Sequence, residues 1–98
     1  MTFVQTIEFR TDRIEEINRL MDDWLASTEG SRIPIRGQLT RDRDRDGTYI
    51  QIVEFPSYEE AMENSTRADT TAFAESMAKL CDGPAVFHNL DVLRDEVL

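Results

Sequence analysis

The sequence predicts a single α+β domain with the element order β-α-β-β-α-β. Three observations carry this prediction: short segments in which apolar residues alternate, longer segments with apolar residues at helical spacing, and capping or turn residues between them. The chain has 98 residues, the length of one domain. This order predicts a ferredoxin-like fold, a four-stranded antiparallel sheet with both helices on one face.

The first strand and the first helix occupy the N-terminal third of the chain. Residues 2–9 alternate between apolar and polar side chains and predict a strand. Thr11 or Asp12 is expected to begin the helix, and Glu15 completes a capping box with Asp12. Gly30 is a typical residue at the end of a helix.

A hairpin is predicted in the middle of the chain. Residues 33–42 and 48–55 form its two strands, and Asp46-Gly47 between them is typical of a type I′ turn. The run from Asp42 to Gly47 also matches the start of a calcium-binding loop, but the twelfth position, where such a loop needs Glu, is Val53. We therefore expect a solvated hairpin tip and no metal site.

A second helix and a last strand complete the pattern. Ser57 and Glu60 form a capping box before the helix, which is expected to break at residues 64–67. A turn at residues 82–84 separates the helix from a last strand at residues 85–93.

Composition excludes several classes of partner. Acidic residues outnumber basic ones by 20 to 11, which gives a net charge of −9. Such a surface repels phosphate backbones and anionic lipid headgroups, so no nucleic acid or membrane partner is expected. The first nine residues do not resemble a signal peptide, and no apolar run could span a bilayer. The cytoplasm is the expected location.

Apolar side chains on both faces of the predicted sheet indicate a homodimer. On the last strand, Val86 and Leu90 lie on one face and Phe87 and Leu93 on the other. Because two helices cover only one face, a second copy packed on the other face would bury the remaining apolar side chains in a two-fold interface. The alternative is a monomer with one exposed apolar face.

A family resemblance adds to these inferences. The segment Ile52–Ala61, in which a strand ending in Glu-Phe runs through a short turn into an acidic helix, resembles the antibiotic-biosynthesis-monooxygenase branch of the dimeric α+β barrel superfamily. The resemblance implies that fold, a homodimer joined through its sheet faces, and oxygenation of a small aromatic ligand without metal, flavin or haem. Asn64 stands where the branch often has a histidine.

The candidate site residues are polar or aromatic groups placed among apolar neighbours. His88, the only histidine, is the candidate general base for a phenolic substrate, and a hydrogen-bonded core histidine is the alternative. Trp24 is a candidate pocket wall or a core residue. The further candidate ligand-binding residues are Gln5, Arg36, Tyr49, Gln51, Glu54 and Asn64.

Three functions remain open from the sequence. The first is a cofactor-independent monooxygenase-like enzyme whose substrate lies between sheet and helices. The second is a dimer without chemistry, either small-molecule-binding or stress-associated. The third is an isomerase or cyclase on the same scaffold. Replacing His88 separates the enzymatic hypotheses from a structural histidine, because loss of a general base lowers turnover by roughly a hundredfold or more.

Overall fold

A computed structural model of the chain describes residues 2–98 and has the predicted element order. Its elements are β1 (Phe3–Arg10), α1 (Ile14–Ser27), β2 (Arg36–Arg41), β3 (Thr48–Phe55), α2 (Tyr58–Ser65), α3 (Ala68–Ala78) and β4 (Val86–Asp91). The second predicted helix is divided into α2 and α3, which confirms the break at residues 64–67. Across residues 2–98, no helix combines the length and apolar composition that a membrane span requires.

The four strands form one antiparallel sheet in the order β2-β3-β1-β4. Phe9 on β1 lies opposite Tyr49 on β3, and both are buried beneath the helices. Because side chains alternate along a strand, this register assigns every strand residue to one face. We call the other face the helix-free face; its side chains are Val4, Thr6, Glu8, Arg10, Arg36, Gln38, Thr40, Thr48, Ile50, Ile52, Glu54, Val86, His88 and Leu90.

Two apolar clusters hold the helices on the sheet. The first cluster is centred on four buried residues, Phe9, Ile17, Tyr49 and Met77, and brings together β1, α1, β3 and α3. The second cluster is centred on Phe3, Phe55 and Ala61 and attaches α2 to the sheet. The amphipathic stripe of α1 explains its place, because Ile17 at the centre of that stripe is 0% exposed.

The predicted N-terminal cap is confirmed for α2 but not for α1. The Ser57 hydroxyl accepts a hydrogen bond from the Glu60 amide at 3.2 Å, which confirms the predicted cap of α2. The predicted Asp12 cap of α1 is wrong, since the helix starts at Ile14 with no side-chain cap. Thr11 instead accepts a hydrogen bond from the Arg13 amide at 2.9 Å, and the exposed Asp12 carboxylate is left outside the helix start.

The hairpin tip differs from the predicted turn. A type I′ turn needs positive φ at two successive residues, but in residues 2–98 only glycines have positive φ, and Gly47 at +74° is the one in this loop. The connection instead runs over six residues and is fixed by Asp42, whose carboxylate accepts hydrogen bonds from the Asp44 amide and the Arg45 guanidinium at 2.9 and 2.7 Å. The solvated tip is confirmed, and the type I′ assignment is wrong.

Two strands are shorter than predicted. β2 begins at Arg36 rather than residue 33, because Pro34 has no N–H to donate and pairing starts with the Ile35 amide, 2.9 Å from the Glu54 carbonyl. β4 spans only Val86–Asp91, and its pairing ends just beyond this range with the Val92 amide, which donates to the Thr2 carbonyl at 3.1 Å.

Candidate functional site

The two apolar clusters are separated by polar side chains in the middle of the sheet. Along the helix-facing side of β3, Tyr49 belongs to the first cluster, Val53 packs against the second, and Gln51 lies between them. On β1, Gln5 occupies the corresponding position, and its Nε2 donates a hydrogen bond to Oδ1 of Asn89 on β4 at 3.0 Å. We call Gln5, Gln51 and Asn89 the amide band.

The amide band has one unmet hydrogen bond. The Oε1 atom of Gln51 is buried, and among residues 2–98 it is the one buried side-chain nitrogen or oxygen without a hydrogen-bond partner. Leaving such a group unpaired costs about 1–3 kcal/mol, so native proteins rarely retain one without a reason. The band therefore contains one polar atom that neither solvent nor a protein group satisfies.

One end of the amide band is open to solvent. Phe87 on β4 lies opposite Ile7 and faces the same side as the helices, yet it is 56% exposed. The adjacent inward-facing residue, Asn89, is exposed as well. The helices thus leave the helix-facing side of β4 uncovered.

The chemistry of the band is that of binding and orientation. Its three side chains are neutral amides, and their inward-facing neighbours Ile7 and Phe87 are apolar. Neutral amides donate and accept hydrogen bonds but do not take up a proton near neutral pH. A flat ligand with a few polar substituents fits such a surface.

His88 lies on the other side of the sheet. It pairs with Thr6 on β1, which places its imidazole on the helix-free face, where it is exposed. The expectation that His88 serves a substrate held between sheet and helices is therefore wrong, because the whole sheet separates it from the amide band. A base role for His88 in itself stays a prediction.

Arg36 and Glu54 also lie on the helix-free face. They are directly opposite each other on β2 and β3 and line a shallow hollow of about 270 Å³. The other lining residues are Val4, Gln38, Ile52 and Asp95. The candidates taken from the strands are thus divided, with Gln5, Tyr49 and Gln51 on the helix-facing side and Arg36, Glu54 and His88 on the opposite side.

The hairpin tip adds a charged group to the helix-free face. The Arg45 guanidinium bonds to the Glu8 carboxylate at 2.8 Å and to the Asp42 carboxylate at 2.7 Å. The hydrogen bond from Arg45 is the main reason that the pKa of Glu8 lies below its ordinary value. For Asp42, hydrogen bonds from the Asp44 amide and then from Arg45 lower the pKa.

Across residues 2–98, no three His, Cys, Asp or Glu side chains lie close enough together to hold a metal ion.

Trp24 lies in a groove between α1 and α3. Its ring centroid is 5.9 Å from that of Phe73, and the Arg32 guanidinium lies 6.0 Å from the Trp24 centroid. The groove has a volume of about 300 Å³ and is lined by Leu20, Asp23, Trp24, Ser27, Asp69, Ala72, Phe73 and Ser76. Trp24 is half-buried and forms part of the wall of this groove. The groove lies between two helices and not at the sheet.

Tyr49 and Asn64 are buried, and a ligand-binding role for either stays a prediction. The Tyr49 ring stacks on Phe9 with a centroid distance of 5.8 Å. Asn64 lies in the last turn of α2, and its Oδ1 accepts a hydrogen bond from the Thr70 hydroxyl of α3 at 3.4 Å.

Phe87 and Asn89, two residues at the open end of the amide band, were not among the candidates predicted from the sequence. The alternation along β4 had already placed them on one face.

Comparison with known proteins relates the fold to solved structures. No family model matches the chain, and no curated protein matches it. SnoaB, a cofactor-independent oxygenase from Streptomyces nogalater, superposes with a TM-score of 0.78 at 14% identity, over 96% of this chain and 95% of its own. The chain has the fold of an antibiotic biosynthesis monooxygenase.

Two further structures share this fold. A putative antibiotic biosynthesis monooxygenase from Caulobacter crescentus gives a TM-score of 0.79 at 17% identity, covering 95% of this chain and 91% of its own. Rv0793 from Mycobacterium tuberculosis gives 0.78 at 13% identity, covering 99% and 100%. The resemblance carried by residues 52–61 is thereby confirmed as a likeness of fold.

Proposed function

We propose that this protein is a cofactor-independent monooxygenase-like enzyme that binds a small aromatic substrate over the amide band. The observation that carries the proposal is the band itself, a strip of neutral amides beside two apolar clusters that is open to solvent at Asn89 and Phe87. The fold of SnoaB, a cofactor-independent oxygenase, supports the reaction class.

The shape and polarity of the band favour a flat ligand. The Phe87 ring offers an aromatic surface at the open edge, and Ile7 beside it is apolar. Aromatic pairs stack or meet edge to face with gains of about 0.5–1.5 kcal/mol beyond burial. The three amides would bond to substituents on the rim of the ring.

In the proposed reaction the substrate supplies all the electrons. A phenol and one O₂ give a quinone and one water: one oxygen atom enters the ring carbon, the other leaves as water, and the phenol is oxidised by four electrons. The protein contributes orientation and exclusion of water. Because the band has no ionisable side chain, the phenolic proton passes to solvent.

Oxygen uptake with 1-naphthol tests this function. We expect the protein to accelerate formation of 1,4-naphthoquinone, with one atom of ¹⁸O₂ in the product and the other in water. Phe87→Ala should weaken naphthol binding by about tenfold, since the exposed ring is lost. Val86→Ala, one residue along and on the opposite face, is the matched control and should leave binding unchanged.

The neutral character of the band favours a second candidate, a binding protein without chemistry. Binding of 1-naphthol without oxygen uptake above the rate in buffer would support it against the enzyme. His88→Ala adds a further discrimination, because a reaction at the band should proceed within a fewfold of the wild-type rate. A hundredfold loss would contradict the band and move the reaction to the helix-free face.

We also infer that the protein works as a homodimer joined through the helix-free face. That face carries five apolar side chains in the middle of the sheet, Val4, Ile50, Ile52, Val86 and Leu90. Val86 and Leu90 are 49% and 45% exposed in the single chain. A two-fold contact between identical faces would remove these side chains from water. The amide band of each copy would lie on the opposite side of its sheet, away from the interface.

A further inference from the structure

The groove of about 300 Å³ between α1 and α3 has an apolar base that solvent can reach. We call it the helix groove, and none of its lining residues comes from a strand. Its half-buried apolar residues are Leu20, Trp24 and Phe73. Its exposed residues are one carboxylate and three small side chains, Asp23, Ser27, Ala72 and Ser76. A ligand can therefore enter between the small side chains and contact the apolar base.

The helices around this groove carry almost all of the negative charge of the chain. Together α1, α2 and α3 contain nine acidic residues and one basic residue, Arg19, which gives −8 of the net charge of −9. The four strands contain three acidic and three basic residues. Of the nine helical carboxylates, Asp69 alone forms an ion pair in the described part of the chain, with Arg67. The field at the helices therefore attracts a cation and repels an anion.

Two aromatic rings in the helix groove add a second attraction for a cation. The centroids of the Trp24 and Phe73 rings are 5.9 Å apart, and both rings line the groove. The Arg32 guanidinium lies 6.0 Å from the Trp24 centroid, but Arg32 does not line the groove and leaves that part of the ring open. Aromatic faces attract ammonium groups, and an adjacent carboxylate such as that of Asp23 adds to the attraction.

We propose that the helix groove is a second binding site and that its ligand is a small organic cation, an alkylated ammonium ion with an apolar group. The ammonium lies against the rings of Trp24 and Phe73 and close to the Asp23 carboxylate. The lining covers residues 20–27 and 69–76, about 10 Å along each helix, which suits a molecule of one or two rings rather than a peptide. The inference is independent of the proposed function, because no residue of the amide band lines this groove.

A titration followed by ¹H–¹⁵N NMR tests the site with two probes of similar size, the cation benzyltrimethylammonium and the neutral N-benzylacetamide. Trp24 is the only tryptophan, so its indole N–H gives one signal that reports on the groove. We expect the cation to shift this signal to saturation and to bind at least about fivefold more tightly than the amide. Equal affinities, or a Trp24 signal that the cation does not shift, would overturn the proposal.

Two neighbouring carboxylates separate the groove from the general charge of the helices. Asp22 and Asp23 are both exposed, but only Asp23 lines the groove. Asp23→Asn should weaken binding of the cation by about fivefold and leave binding of the neutral amide unchanged, because the charge beside the ammonium is lost. Asp22→Asn is the matched control and should change the affinity by less than about twofold, because solvent and salt screen the more distant charge. Equal losses in the two variants would mean that cations gather over the acidic helices without using the groove.

Phe73→Leu tests the aromatic part of the site, because it keeps an apolar side chain against Trp24 and removes one ring. We expect this variant to bind the cation about threefold more weakly, with a smaller change for the neutral amide. Thermal unfolding checks that the variant is folded, and if it is not, the two aspartate variants decide the question alone. A folded Phe73→Leu variant that keeps the full preference for the cation would overturn recognition by the aromatic rings.

Discussion

Thr11 connects the ends of three elements through one buried hydroxyl. It is 3% exposed, follows β1 directly and precedes α1. Its Oγ1 donates to the Leu80 carbonyl after α3 at 2.6 Å and accepts from the Arg13 amide at 2.9 Å. The hydroxyl therefore fixes where α1 starts and where α3 ends relative to the sheet.

Thr11→Val should lower the free energy of unfolding by about 1–3 kcal/mol, because it keeps the shape of the side chain and removes the hydroxyl that bonds two part-buried backbone groups. Urea denaturation measures the change. Thr71→Val, at an exposed site on α3, is the matched control and should change it by no more than about 0.5 kcal/mol. Equal effects of the two substitutions would contradict the role of Thr11.

Helices and strands were predictable from the sequence wherever local signals decide them. The Ser57 cap and the break between α2 and α3 depend on residues adjacent in the chain, and both predictions are confirmed. The start of α1 was missed because Thr11 is held by Leu80, 69 residues away. The start of β2 depended on its pairing with β3, which a local pattern does not show.

The hairpin tip between β2 and β3 gives the clearest pH dependence. Arg45 bonds to Glu8 and is the main cause of the lowered Glu8 pKa. Because the folded-state pKa is depressed, this pair stabilises the fold above the ordinary carboxylate pKa of about 4.3, and the contribution is lost as pH falls through the folded-state value.

Arg45→Gln should raise the pKa of Glu8 towards its ordinary value, and that of Asp42 in the same direction. Carbon-detected NMR titration of the carboxyl groups measures both. Arg43→Gln removes the same charge from the same loop, and Arg43 forms no ion pair within residues 2–98, so it should leave both pKa values in place. Similar pKa shifts in the two variants would mean that the positive charge of the loop, rather than the hydrogen bond from Arg45, lowers the pKa values of Glu8 and Asp42.

At the scale of the whole molecule, the candidate site depends on which face of the sheet the helices cover. Alternation along each strand separated the two faces correctly, so Val86 and His88 were known to share one face and Phe87 and Asn89 the other. Which of these faces met the helices was fixed by long-range packing of Phe9 and Tyr49 against Ile17 and Met77. Because the sequence did not show which face meets the helices, His88 was predicted at a pocket between sheet and helices, whereas it lies on the opposite face.

The same division of faces predicts how the protein self-associates. Leu90 is 45% exposed on the helix-free face, and Phe87, three residues earlier on β4, is 56% exposed on the opposite face. In the proposed homodimer, Leu90→Lys buries a charge against a second copy and should shift the protein to a monomer at micromolar concentration. Phe87→Lys adds the same charge to the same strand and should leave the dimer intact.

Sedimentation equilibrium of the wild type and both variants at matched salt measures the outcome. A wild-type dimer that Leu90→Lys dissociates and Phe87→Lys does not would support an interface on the helix-free face. Dissociation by Phe87→Lys alone would put the partner over the amide band instead, where it would block the approach of a ligand. A monomeric wild type would contradict the homodimer, and the apolar helix-free face would then stay in contact with water.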